Sequence, residues 1–413
     1  MSAALFPLAA FSFARLPRIE FGSGSVAKLP NIIASYGGTA LLVTGSAAIS
    51  NSRLWPELCA ALAEKGIAFE QVRISGEPSP QRVDALAAEF APAKIAVVCA
   101  IGGGSVLDAG KAIAGLLRVG RPVSDYLEGV GPELPYRGPA VPFIAVPTTA
   151  GTGSEATKNA VLSVAGEHGY KKSFRHEDLV AQYALVDPDL LASCPPALIA
   201  ANGMDALTQL MESYVSIKAN ALTDALALSG FESIRLGLLP WYENRGDQGA
   251  ARSHMAYAAL LSGITLAQVG LGSVHGLASP LGAFFPIPHG VVCGTLVAAA
   301  TAVNIDALQA RAPQSPAVAK YAEVGRVLTG QADLDDQAAR RRLLELLEEW
   351  TIRMALPTLD NYGVRAADFD RIIAHSRGSS MKTNPLELTD REIGEILARR
   401  TFDTALAMPN IQC

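Results

Sequence analysis

The pattern of apolar and polar positions changes character near residue 188. Before that point, short apolar runs alternate with segments of helical length. After it, long segments with helical apolar spacing follow one another. Alternating strands and helices are typical of a parallel sheet covered by helices, whereas continuous helical spacing indicates an all-helical unit. The pattern therefore predicts an α/β domain over residues 1–188, followed by an all-α domain over residues 189–413.

The first half is predicted to form a doubly wound parallel sheet. Alternating aromatic and aliphatic residues at Phe11, Phe13, Ile19 and Phe21 predict an N-terminal hairpin. Further strands are predicted at 40–43, 69–74, 94–101 and 141–146, and helices at 54–65, 81–90 and 105–117.

The second half contains eight segments with helical spacing. They lie at 196–217, 222–241, 251–269, 291–310, 317–328, 335–354, 368–376 and 390–398. Because no low-complexity linker separates the two halves, we expect them to pack together and share a cleft.

Composition narrows the classes of function. Half of the 413 residues are apolar, 18% are charged, and the net charge is -5. The longest basic run, at residues 340–342, lies beside three glutamates and is interpreted as a solvated helix face, which argues against nucleic-acid binding. We expect no membrane span, because the apolar runs fall short of the ~20 residues that one requires.

The cysteines indicate a reducing compartment. There are five of them, an odd number, and none forms a C-x-x-C pair. We interpret them as free thiols of a cytoplasmic protein. The apolar residues 5–13 lack the preceding basic residues of a signal peptide.

A run of three glycines follows the most apolar predicted strand and opens a helix. Gly102, Gly103 and Gly104 would let the backbone approach an anion, and the amides at the helix start would point at it. The spacing of Ser105 and Asp108 predicts a capping box at this helix start. A tight turn without a ligand is the alternative interpretation.

A second loop of small residues, residues 147–155, here called the threonine loop, follows another buried strand. Its sequence is Pro-Thr-Thr-Ala-Gly-Thr-Gly-Ser-Glu. Ligands of open α/β sheets lie at the carboxyl ends of the strands, so two such loops favour a binding cleft there.

Four polar residues in the helical half could close on a divalent ion. Asp205 and Gln209 lie one helical turn apart, and His275 and His289 are separated by three prolines. One carboxylate, one amide and two imidazoles could hold a metal, although the amide oxygen of Gln209 is a poor ligand for a transition metal. The alternative is four unrelated polar residues in an apolar region.

With these motifs in place, the sequence resembles the iron-containing (group III) alcohol dehydrogenase family. The likeness covers essentially the whole chain. It rests on the glycine and threonine motifs and, in the second half, on Gly203-Met204-Asp205, His275-Gly276 and Pro288-His289-Gly290. The resemblance implies an N-terminal dinucleotide-binding domain and a C-terminal all-helical metal-binding domain.

The resemblance also implies a cofactor site for NAD or NADP. The glycine run would hold the pyrophosphate and the threonines would line the nicotinamide side. The cofactor-binding residues so implied are Gly45, Gly102, Gly103, Gly104, Ser105, Val106, Asp108, Thr148, Thr149, Thr152, Asn159 and Lys171. Gly45 stands where NAD-preferring relatives often have an aspartate. Because an acidic residue there would repel the 2′-phosphate of NADP, its absence makes NADP an alternative cofactor, with Arg53 as a partner for that phosphate.

The family metal, iron or zinc, is held by an aspartate and three histidines. Asp205, His275 and His289 occupy three of those positions, and Gln209 stands where the remaining histidine is expected. A second departure is Ser279, where many relatives have a histidine that relays protons. The candidate catalytic residues are Lys171, His275 and Ser279. The cofactor ribose and a metal-bound water are the alternatives to Lys171 for proton delivery. Phe284, Phe285 and Cys293 are interpreted as core.

These features predict a metal-dependent oxidoreductase. It would transfer a hydride between NAD(P) and a small alcohol or aldehyde and would assemble as a homodimer or larger homo-oligomer. One alternative is a metal-free reductase of the maleylacetate reductase type, favoured by Gln209 and Ser279. The other is a cofactor-binding protein without catalytic activity.

Overall fold

A computed structural model of the chain describes residues 9–45, 49 and 52–401. The fifth cysteine, Cys413, and residues 5–8 of the apolar N-terminal stretch lie outside the described residues. The four cysteines within them are all free.

The first half forms a parallel sheet, as the sequence predicted. The described strands are β1 (Arg18–Phe21), β2 (Thr39–Gly45), β3 (Phe69–Ile74), β4 (Ile95–Gly102), β5 (Phe143–Pro147), β6 (Asn159–Val164), β7 (Tyr170–Arg175) and β8 (Tyr183–Val186). Six of them pair in the order β1-β8-β5-β4-β2-β3, and every pair is parallel. The central strand β4 is almost entirely buried, which explains its continuous apolar run.

Three features of the sheet differ from the prediction, the first being strand β8, which was not predicted. The prediction of an N-terminal hairpin is wrong, because β1 pairs in parallel with β8 and residues 9–17 are not in a strand. The antiparallel pair β6–β7 was not predicted and forms a separate two-stranded sheet. Its strands are only partly buried, and β7 has the sequence Tyr-Lys-Lys-Ser-Phe-Arg, so the apolar signal is weak.

Helices cover the sheet and make up the second half. The described helices are α1 (Leu29–Ala34), α2 (Leu54–Glu64), α3 (Pro80–Phe90), α4 (Gly104–Leu116), α5 (Pro196–Val215), α6 (Ala221–Tyr242), α7 (Gln248–Val269), α8 (Ser273–Phe284), α9 (His289–Arg311), α10 (Pro316–Thr329), α11 (Asp336–Arg353), α12 (Phe369–Ser376) and α13 (Asp390–Ala398). The fold class predicted from the sequence, a parallel α/β sheet followed by an all-helical region, is confirmed.

The capping box predicted for α4 is wrong. The helix begins at Gly104, its N-cap residue is Gly103, and no side chain caps it. Ser105 lies inside the first turn, and the carboxylate of Asp108 accepts a hydrogen bond from Ser154 instead. The amides at this helix start are consequently not occupied by a cap of their own.

Two helices of the second half position the site. Helix α5 is buried along nearly its whole length from Ile199 to Val215. Helix α9 is long and apolar enough to cross a membrane, with a mean hydropathy of 1.8, but 89% of that window is buried within the fold. The bent pair α7 and α8 also passes this test when taken together, with a 99° bend. Burial of this kind is typical of core helices, whose apolar surface stabilises the fold by roughly 1.5–3 kcal/mol per large side chain.

Candidate active site and metal centre

The two loops predicted to bind the cofactor lie in contact. They follow the adjacent parallel strands β4 and β5, and the amide of Thr148 donates a hydrogen bond to the carbonyl of Gly102. A Cβ added to Gly103 would lie 3.2 Å from the side chain of Thr149, and one added to Gly104 would lie 2.6 Å from that of Thr152. The glycines are therefore needed to let the threonine side chains approach the start of α4.

A buried lysine links helix α4, which begins with the glycine run, to the threonine loop. Lys111 on α4 is fully buried, and its Nζ donates to Ser154, Thr157 and the carbonyl of Asn159 at 2.7–3.0 Å. Burial lowers the pKa of Lys111 to about 8, although the neighbouring carboxylates Asp108 and Glu155 oppose the shift. Lys111 thus fixes the threonine loop against the helix that begins with the glycine run.

The other predicted cofactor residues are placed as follows. Gly45 ends β2, next to β4, and an added Cβ there would be 3.7 Å from Val106. The carboxylate of Asp108 is 2.5 Å from Ser154 Oγ, and burial raises its pKa. The side chain of Asn159 accepts from Arg175 at 2.9 Å. The Asp108 carboxylate and the side-chain oxygen of Asn159 therefore each accept a hydrogen bond from within the protein.

Helices α5, α8 and α9 bring three of the predicted metal ligands together. Asp205 Oδ1 lies 3.3 Å from His275 Nε2 and 3.9 Å from His289 Nε2. As predicted, no single helix holds both histidines, because the chain breaks between α8 and α9. The thiol of Cys293 joins this group, and the four donor atoms lie within 4.8 Å of one another.

The cluster suits a divalent cation. Burial would raise the pKa of Asp205, but His289 and His275 outweigh it and lower that pKa. Burial and the charge of Lys171 lower the pKa of His289 to about 4, which leaves a neutral imidazole. The second oxygen of Asp205 is buried and has no hydrogen-bond partner among the described residues. A carboxylate, two imidazoles and a thiol are ligands of zinc and iron, so these residues fit the metal that the resemblance implies.

Gln209 is engaged by a neighbouring helix. It is buried one turn after Asp205, and its Oε1 accepts a hydrogen bond from Ser262 Oγ of α7 at 2.7 Å. The same hydroxyl lies 3.5 Å from the carbonyl of Gly151 in the threonine loop. This chain of contacts places the threonine loop against the helices that carry the metal cluster.

Glu212 forms hydrogen bonds with His275 and with the start of helix α8. Its Oε2 lies 2.6 Å from His275 Nδ1, and its Oε1 accepts from the amide of Val274 at 2.6 Å. Burial alone would lower the pKa of His275, but Cys293 and Glu212 outweigh it and raise that pKa well above its usual value. With Nδ1 occupied by Glu212, Nε2 is the nitrogen that points into the cluster.

Lys171 and Ser279 lie beside the more open end of the cluster. The side chain of His289 is 28% exposed, compared with 1% for Asp205. Lys171 Nζ pairs with Glu77 Oε1 at 2.5 Å, and its charge acts on His289. Ser279 Oγ donates to the carbonyl of Lys171 at 3.2 Å. The two predicted catalytic residues are therefore linked to each other.

Comparison with known proteins identifies the family. The model for "Iron-containing alcohol dehydrogenase" matches residues 17–188, and that for the "Fe-containing alcohol dehydrogenase family, C-terminal" matches residues 199–401. The chain belongs to the iron-containing alcohol dehydrogenase family. Alcohol dehydrogenase 4 of Schizosaccharomyces pombe is 33% identical over 383 residues, which cover 91% of this chain and 86% of the relative. Lactaldehyde reductase of Escherichia coli (strain K12) is 34% identical over 305 residues, covering 72% and 75%.

Solved structures of the iron-containing alcohol dehydrogenase family have the same fold. A crystal structure of 1,3-propanediol oxidoreductase matches with a TM-score of 0.85 and 27% identity, covering 95% of this chain and all of the other. Members of the family use NAD(P) and iron, so the prediction of a metal-dependent oxidoreductase is confirmed. The choice between NAD and NADP stays a prediction.

Two residues of the site were missed by the sequence analysis. Glu212 follows Asp205 by seven residues and Cys293 follows His289 by four, so each shares a helix face with a predicted ligand. This spacing was available in the sequence. Cys293 was instead interpreted as core, and it does lie within a buried apolar cluster, with its thiol directed at the two histidines.

Proposed function

We propose that the chain catalyses reversible hydride transfer between NAD(P) and a small alcohol or aldehyde. The observation that supports this most directly is the convergence of Asp205, His275 and His289, which Ser262 and Gln209 connect to the threonine loop. A cofactor laid over the carboxyl ends of β4 and β5 would then extend towards the cluster.

The two loops would bind and orient the cofactor. Gly102, Gly103, Gly104, Ser105 and Val106 would hold the pyrophosphate at the start of α4, where the uncapped amides and the helix dipole favour an anion. Thr148, Thr149 and Thr152 would lie along the nicotinamide. Asp108 and Asn159 would support this surface through Ser154 and Arg175.

Asp205, His275 and His289 would hold the metal. When bound, a divalent ion at this place supplies Lewis-acid stabilisation of the negative charge that develops on the substrate oxygen. His289 is the most exposed of the three side chains, so the substrate would approach from its side. Gln209, predicted as the fourth ligand, would offer an oxygen that already accepts from Ser262.

Lys171 would hold the exchangeable proton near the substrate. The charge of its ammonium group acts on His289, and the group is paired with Glu77, whose 39% exposed side chain would connect it to solvent. Ser279 would fix β7 through its hydrogen bond to the carbonyl of Lys171. The Glu77–Lys171 pair would thereby serve in place of the histidine that many relatives carry at position 279.

The cofactor choice, the assembly and the division into domains belong to the same proposal. Gly45 has no carboxylate with which to repel a 2′-phosphate, which supports use of NADP as well as NAD. We propose a cytoplasmic homodimer whose chains divide after residue 188. Free thiols in the described residues support the reducing compartment.

Replacement of Asp205 tests the function. Fluorescence titrations with NADH and NADPH, followed by a panel of short alcohols and aldehydes, should show binding and turnover in the metal-loaded wild type. Asp205→Ala should lower kcat/KM by about 1,000-fold or more, because several kcal/mol of charge stabilisation are lost. Cofactor affinity should change by less than about threefold, because Asp205 lies outside the two loops.

The controls separate the rival functions. Asp306→Ala, at an exposed position of α9, should behave as the wild type. Full activity of a chelator-stripped protein that contains less than about a tenth of an equivalent of metal would instead indicate a metal-free reductase. Cofactor binding without turnover on any substrate would indicate a binding protein.

A further inference from the structure

Gln209 stands where the resemblance implies another metal-binding histidine, and its side chain has a hydrogen-bond partner within the protein. Gln209 Oε1, the atom of the amide that could bind a metal, accepts a hydrogen bond from Ser262 Oγ. Amide oxygen is a hard donor and favours magnesium, calcium or manganese over iron or zinc. A cluster for a transition metal would thus be one good ligand short if Gln209 had to complete it.

A thiol lies where that ligand is needed. Cys293 is one turn after His289 on α9, and it is fully buried. Its Sγ is 3.6 Å from His275 Nε2 and 3.8 Å from His289 Nε2. The cysteine therefore contacts both imidazoles through the nitrogens that face Asp205.

The distances between these donors agree with a shared ion. With metal–nitrogen and metal–oxygen bonds of about 2.1 Å and metal–sulfur bonds of about 2.3 Å, a tetrahedral site separates nitrogen from oxygen by about 3.4 Å and sulfur from nitrogen by about 3.6 Å. The separations are 3.3 Å and 3.9 Å between Asp205 Oδ1 and the imidazoles, and 3.6 Å and 3.8 Å between Cys293 and the imidazoles. Four of the six donor separations are therefore close to this size, and the other two lie within 4.8 Å.

We propose that the Cys293 thiolate is the fourth protein ligand of the metal, in place of the side chain at position 209. The inference deepens the proposed function, because it completes the ligand set of the same ion. Asp205 and a thiolate would together neutralise a divalent charge in a buried place. Sulfur would favour zinc, iron(II) or cobalt(II) over magnesium and manganese. The thiol would give up its proton to solvent when it binds the metal.

Cobalt spectroscopy tests the ligand directly. One equivalent of Co²⁺ added to chelator-stripped full-length protein should give the near-ultraviolet charge-transfer band of a cobalt–thiolate bond. Cys293→Ser should remove this band and weaken Zn²⁺ binding by at least the 10–100-fold that loss of a ligand's supporting partner costs. Cys59→Ser, on α2, is the matched control and should keep both the band and the affinity.

A second variant tests the ligand set from position 209, and the wild-type cobalt spectrum keeps the test decisive if Cys293→Ser folds poorly. Gln209→His in the Cys293→Ser background should restore tight Zn²⁺ binding without the charge-transfer band, because a nitrogen ligand then stands at position 209. Thermal unfolding with and without Zn²⁺ reports binding independently of the spectrum.

Two results would overturn the inference. One is a wild-type cobalt spectrum without a thiolate band. The other is a Gln209→Ala variant that loses as much metal affinity as Cys293→Ser does. A charge-transfer band without turnover would support Cys293 as a ligand and contradict the proposed function. Turnover without the band would support the proposed function and contradict Cys293 as a ligand.

Discussion

Glu212 shows how much of this site depends on residues that touch neither metal nor substrate. The carboxylate accepts two kinds of hydrogen bond, one from the imidazole of His275 and one from the backbone amide at the start of α8. Both partners are donors, so two acceptor oxygens are required. Glu212 thereby sets which nitrogen of His275 faces the cluster, and it anchors the helix that carries it.

Glu212→Gln should weaken the metal site without affecting the cofactor site. The glutamine amide has one oxygen that accepts and one nitrogen that donates, so it cannot accept hydrogen bonds from both partners. If its nitrogen faces His275 Nδ1, it favours the imidazole tautomer in which Nε2 carries the proton. We expect Zn²⁺ affinity to fall by about 10–100-fold in a chelator competition, with NADH affinity unchanged. Glu232→Gln, a surface carboxylate paired with Arg235, is the control. A loss of NADH affinity equal to that of Zn²⁺ would show general damage rather than a role at the metal.

Among the secondary-structure elements, the start of α4 is the place where the glycine run packs closely against the threonine loop. Gly104 is the first residue of that helix, and an added Cβ would lie 2.6 Å from Thr152. The corresponding distance at Gly103 is 3.2 Å, from Thr149. The threonine loop is therefore held closer to Gly104 than to Gly103.

Gly104→Ala should displace the threonine loop and weaken cofactor binding. Alanine would favour the helix by up to about 1 kcal/mol, but forcing Thr152 away should cost about 1–3 kcal/mol. We expect NADH affinity to fall by about tenfold or more in a fluorescence titration. Gly103→Ala is the graded control and should lose less. Equal losses in the two variants would argue against contact with Thr152 as the cause.

The sequence predicted elements well where one face or both faces are buried. Strands β2, β3, β4 and β5 and most helices of the second half lie close to their predicted ranges, because continuous or periodic apolar runs mark them. Strands β6 and β7 carry little apolar signal, and the partner of β1 is β8, more than 160 residues away, which no local pattern reveals. The sequence likewise indicated Asp205, His275 and His289, but it gave Cys293 the appearance of an ordinary core residue.

The whole molecule depends on how closely its halves approach. The threonine loop meets α7 backbone to backbone, and an added Cβ at Gly263 would lie 2.1 Å from the carbonyl oxygen of Gly153. Next to this contact, Ser262 lies between Gly151 and Gln209. The threonine loop and helix α7 are thus held at a fixed separation by a contact that admits no side chain.

Gly263→Ala should therefore separate the halves and affect both sites together. Backbone cannot rotate away as a side chain can, so we expect the free energy of unfolding to fall by at least about 1–3 kcal/mol in a denaturant titration. Affinities for NADH and for Zn²⁺ should both fall, in contrast to Glu212→Gln, which should affect only the metal. Gly378→Ala is the control, because nothing lies within 4 Å of a Cβ added there. If the variant keeps wild-type stability and both affinities, the two halves can adjust to one another, and the geometry of hydride transfer must be set elsewhere.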